Sequence, residues 1–135
     1  MRIASSILFV IAGLAVVSFG ADPSDHLTDE QLSIHTLIRE DIFAGWRAGD
    51  MDRLERAEQN IEKLLELRPN ARGDLLAWRG GIELFRAVLA HESNDEPGFR
   101  QHMQTSKDAF DEAKRLSPKS VGVGSLIGGS YAMFA

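Results

Sequence analysis

Leu75, Trp78, Ile82, Phe85 and Leu89 recur at steps of three and four residues. That spacing gathers them on one stripe of an α-helix but scatters them over both faces of a strand, so the segment can bury its apolar side only as a helix. The same periodicity runs through most of the chain. Ile34, Leu37, Ile38, Ile42 and the Phe43/Trp46 pair predict a helix over 29–48, opened by the capping box Thr28-Asp29-Glu30-Gln31 and closed at Gly49. Leu54, Ala57, Ile61, Leu64 and Leu65 predict a second over 51–68, capped by Asp50 and ended by Pro69. A third is expected over 74–91, opening at Asp74. It carries Gly80-Gly81 mid-span, each glycine costing about 1 kcal/mol against alanine and tolerable where a neighbouring backbone must come close. Phe99, Met103, Ser106, Phe110 and Ala113 predict a fourth over 96–117, with Ser93-x-x-Glu96 as its capping box, Pro97 in its first turn and Pro118 beyond it. The expected fold is all-α, built of antiparallel helical hairpins with short connections.

Length and composition bound the rest. The 135 residues suit one domain. There is no cysteine, which removes disulfides, thiolate catalysis and Cys-ligated metals together. The formal net charge of −5 carries no basic nucleic-acid footprint.

Residues 1–20 read as a targeting segment. Arg2 gives a positive start, Ile7–Val17 has no polar side chain, and Ser18 and Gly20 supply the small residues that signal peptidase needs for cleavage after Gly20. The alternative is an uncleaved anchor over Ile3–Ala21, just long enough to span a bilayer. On either reading the body of the protein works outside the cytoplasm, with 21–28 as a polar lead-in and 29–135 as the helical domain.

An internal repeat is present. Ala57-x3-Ile61-x2-Leu64-x4-Pro69 and Ser106-x3-Phe110-x2-Ala113-x4-Pro118 share one spacing, and Ile127-Gly128-x-x-Tyr131 follows the second proline. This resembles the tetratricopeptide repeat (TPR), whose second helix carries the small–large–small–proline pattern and whose first carries the Gly–aromatic pair. The resemblance implies hairpins at about 29–68 and 74–117, the first helix of a third from about 121, and stacking as a short right-handed solenoid. It also implies a non-enzymatic scaffold or adaptor for protein–protein interaction. The prolines at 69 and 118 stand further apart than one repeat of about 34 residues, which leaves an insertion near 86–100.

Residues that invite a chemical reading lack the context it requires. His91-Glu92 has no second histidine one turn on, and His26, His35, His91 and His102 nowhere show the four-residue spacing of two metal ligands on one helix face. Gly122-x-Gly124-x3-Gly128 has no preceding strand, and Gly128-x-Ser130-x-Ala132 has no following Asp and His. Asp111 and Glu112 are adjacent and diverge. No catalytic, metal or cofactor site is expected.

Arg72, Arg79 and Arg86 recur every seven residues beside the third helix's apolar stripe. They could grip carboxylates of a protein or peptide partner bidentately, or form a solvated face in which Glu83 pairs with Arg79 and Arg86.

Residues 121–135 are uncharged and apolar all round, which a terminal solenoid helix cannot afford. The expectation is that a longer parent chain, a second copy or a partner covers them, with a longer repeat protein preferred. The isolated domain should then self-associate, and deleting 121–135 should make it more soluble. The functional expectation is an exported TPR-like adaptor; the alternative is a membrane-tethered small helical bundle with a structural or assembly role.

Overall fold

The computed structural model describes residues 38–134. The expectations for the leader, the lead-in and the first helix's start at 29 lie outside these residues. Within them the protein is all-helical, with no strand: α1 (Glu40–Ala48), α2 (Met51–Leu67), a 3-10 turn at Pro69–Ala71, α3 (Arg72–Glu92), α4 (Glu96–Leu116) and α5 (Val121–Phe134). None of these helices is long and apolar enough to cross a membrane.

Local chemistry sets the breaks. Gly49 takes a left-handed φ of 67°, and its N–H reaches back to the carbonyls of Ala44 and Gly45, which closes α1. Asp50 follows at once and accepts a hydrogen bond from the Arg53 N–H at 3.1 Å, opening α2. Pro69 ends α2 and starts the 3-10 turn, from which α3 begins at Arg72, two residues before Asp74.

The α3–α4 connection departs from expectation. Ser93 does not cap α4; its hydroxyl donates back to the carbonyls of Leu89 and Ala90. Asn94 turns the chain with a φ of 60°, and Asp95 then stands at the cap position and accepts from the Gly98 N–H at 3.0 Å. A left-handed residue between Ser93 and the helix start is what moves the cap by two positions.

α3 is the central helix. Of its expected stripe, Leu75, Trp78, Ile82 and Phe85 pack with Ile38, with Ile42 of α1 and with Leu54, Ile61 and Leu64 of α2, whereas Leu89, in the last turn, is 36% exposed and stands outside this cluster. A second row, Leu76, Ala77 and Leu84, packs with Phe110 and Ala113 of α4 and Val123 and Ile127 of α5. The glycine pair lies where both sides close in. A β-carbon on Gly80 would collide with the Phe110 ring of α4, and one on Gly81 would crowd Trp46 of α1 and Ser130 of α5. What approaches is therefore two aromatic rings and a serine, not a neighbouring backbone. Trp46 and Phe134 complete the closure, their rings meeting edge to face at 5.3 Å.

Candidate functional site

Among the described residues, the two buried carboxylates, Asp41 and Glu83, each meet basic side chains from other helices, whereas half-buried Asp74 has its carboxyl pushed up by burial alone. Asp41 of α1 is buried and accepts from Arg53 Nε at 2.8 Å and from Arg56 Nε and Nη2 at 2.7 Å, both on α2. The Arg56 hydrogen bonds above all hold its carboxyl below the ordinary value, against burial, which pushes the other way. On α3, Arg86 forks onto Glu58 of α2 at 2.5 and 2.6 Å and donates to Glu83 Oε1 at 3.0 Å. The other oxygen of Glu83 lies 2.7 Å from His102 Nδ1 on α4. A continuous chain of polar contacts thus runs Glu58–Arg86–Glu83–His102, from α2 across α3 to α4.

The three arginines singled out by spacing have different surroundings. Arg79 Nη1 stands 3.3 Å from Glu62 of α2, not on Glu83. Arg86 is held as above. Arg72 is exposed on the first turn of α3; it lends a minor pull to Glu112, whose carboxyl is lowered chiefly by hydrogen bonds from Arg115. Glu58 and Glu62 stand one turn apart on α2, and the antiparallel run of α3 brings Arg86 and Arg79 to them in reverse order. Arg86 and Arg79 thus pair with α2, while Arg72 does not.

On another side of α3 a cleft of about 320 Å³ opens. Leu84, Val88 and His91 of α3, Phe99 and Met103 of α4, and Tyr131 and Phe134 of α5 line it. Its wall contains no carboxylate, ammonium or guanidinium. Phe99 and Met103 were visible in the sequence as core positions of the fourth helix, but nothing there showed that α5 would close a cleft over them.

The outer face of α5 is the other open surface. Val123, Ile127 and Ser130 turn inward, while Val121 is 81% exposed and Tyr131 and Met133 are more than two-fifths exposed. Gly124, Gly128 and Gly129 have nothing within 4 Å of where a β-carbon would stand. These glycines are inside a helix and form no phosphate loop. Ser130 is buried and donates to the Leu126 carbonyl at 2.8 Å, bound within its own helix rather than presented as a nucleophile.

His91 is exposed with its ring 5.5 Å from that of Phe99. Asp111 pairs with Lys107 and Glu112 with Arg115, each on α4 itself. Among the described residues no three His, Asp or Glu side chains are grouped as a cation would need. Comparisons with protein-family models, curated proteins and solved structures find no match to the chain.

Proposed function

We propose that this protein is an exported TPR-like scaffold that works by protein–protein contact, with the outer face of α5 as its contact surface. The observation that carries the reading is the contrast between its glycines. Gly45 of α1 faces Leu54 of α2, and Gly80 of α3 faces Phe110 of α4, so each admits the helix that follows it in the chain. Gly128 of α5 faces open space. α5 thus offers an unused helix seat of the kind already filled twice, without a charge to repel an apolar helix laid on it.

The repeat positions fit this reading. Ala57, Ile61 and Leu64 on α2 and Ser106, Phe110 and Ala113 on α4 are all buried, as the second helices of stacked hairpins require. A right-handed solenoid is the arrangement proposed for them. Export and the fate of residues 1–20 belong to the same proposal.

Site-specific photocrosslinking tests it. A benzophenone side chain replacing Ala132, on the outer face, should give a discrete protein adduct in the native envelope, whereas one replacing the exposed Glu66 of α2 should not. The adduct mass separates a second copy from a different partner. Equal, diffuse labelling at both positions, or none at Ala132, rejects the proposal.

A further inference from the structure

We propose that the cleft between α3, α4 and α5 is a binding site for a small, neutral, ring-bearing molecule. Three features point there. The first is size: about 320 Å³ lies at the low end of ligand pockets, which span roughly 300–1,000 Å³, so a compact molecule fits and a peptide segment does not.

The second is chemistry. Three rings, Phe99, Tyr131 and Phe134, face the aliphatic Leu84 and Val88, and Met103 adds a polarizable sulfur. Rings and thioether favour an aromatic guest through edge-to-face and sulfur–ring contacts. A charged guest would lose its water and meet no carboxylate, ammonium or guanidinium in the wall. The polar groups of the lining, His91 and Tyr131, are both solvent-exposed, so one hydroxyl or carbonyl of the guest would be satisfied at the mouth.

The third is preorganisation. Each wall ring is braced by another. Phe134 rests on Trp46 at 5.3 Å and Phe85 at 5.6 Å, Tyr131 on Phe110 at 5.4 Å, and Phe99 on His91 at 5.5 Å. Rings fixed in this way cannot fold into the cleft and fill it, and a guest does not have to order them on binding.

The test uses the purified full chain and the neutral probe N-phenyl-1-naphthylamine. Expected are saturable binding of one equivalent, quenching of Trp46 through its contact with Phe134, and displacement by 1-naphthol. Val88→Phe, which puts a ring into the cleft, should weaken binding at least about tenfold while the helical circular dichroism is kept. Met103→Phe serves the same purpose should Val88→Phe lose that signal. Gly128→Lys, on the open face of α5, should bind as the parent does, which keeps this site separate from the proposed helix seat. No saturation, full binding by the filled variants, or loss on Gly128→Lys would overturn the assignment. Displacement by 1-dodecanol but not 1-naphthol would overturn the ring-bearing class.

Discussion

Phe110 packs so closely over Gly80 that a β-carbon there would stand 2.5 Å from the ring's Cδ1 and Cε1. One turn earlier on α4, the Ser106 hydroxyl donates to the Gly80 carbonyl at 2.8 Å. Gly80→Ala should therefore destabilise by about 1–2 kcal/mol, since overpacking outweighs the roughly 1 kcal/mol gained in helix propensity. Gly128→Ala meets no neighbour and should gain about 0.5–1 kcal/mol. Chemical denaturation of the two variants reads opposite signs, and a stabilised Gly80→Ala would contradict this packing.

Trp78 and Phe110 anchor the two sides of α3, at 6% and 1% exposure. Truncating either to alanine should cost about 3–5 kcal/mol. Losses under about 1 kcal/mol at both would mean that α3 is not the central helix.

The elements were legible because their signals are local: three- and four-residue apolar steps, Gly49 for a left-handed exit, Asp50 for a cap, prolines for stops. The stripe from Leu75 to Phe85 marked one buried side of α3, but the second side was hidden. It is made of Leu76, Ala77, Leu84 and the glycines, and alanine and glycine carry little hydropathy contrast. The arginine row was found, but not the pairing of Arg79 and Arg86 with α2. Glu58 and Arg86 are 28 residues apart, and only the fold brings them together. The cleft escaped for the same reason, since it exists only once α5 closes on α3 and α4.

The arginine row makes a graded prediction. Arg86→Gln leaves Glu58 and the buried Glu83 without their shared cation and should cost about 2 kcal/mol, below the range for fully buried pairs because solvent reaches the guanidinium. Arg79→Gln loses a longer, exposed pair and should cost at most about 0.5 kcal/mol, with Arg72→Gln within the same bound. Equal losses at all three positions would contradict the pairing with α2.

Acid should loosen the α1–α2 contact through Asp41. Its carboxyl titrates below the ordinary range in the folded protein, so its contribution is present at neutral pH and is lost as pH falls through about 4 and below. Asp41→Asn should cost about 1–2 kcal/mol at pH 7, a figure reduced because both arginines are more than one-third exposed. The gap between parent and variant should close on acidification. A gap unchanged between pH 7 and pH 3 would show that the ion pairs contribute nothing.

The tail distinguishes covering from being covered. Read from sequence, residues 121–135 were apolar all round and their deletion was expected to improve solubility. In the fold, Val123 and Ile127 are buried against the α3–α4 cluster, and Phe134 backs onto Trp46 and Phe85. Deleting the segment would uncover Leu76, Leu84 and Phe110, so it should lower both stability and solubility. The exposed face alone is the source of stickiness. Ser125→Lys with Ala132→Glu places charges on that face seven residues apart, without touching the buried one. This double variant should retain the parent's melting temperature and remain monomeric in light scattering at concentrations where the parent self-associates. A deletion that melts no lower than the parent would show that α5 does not belong to the core.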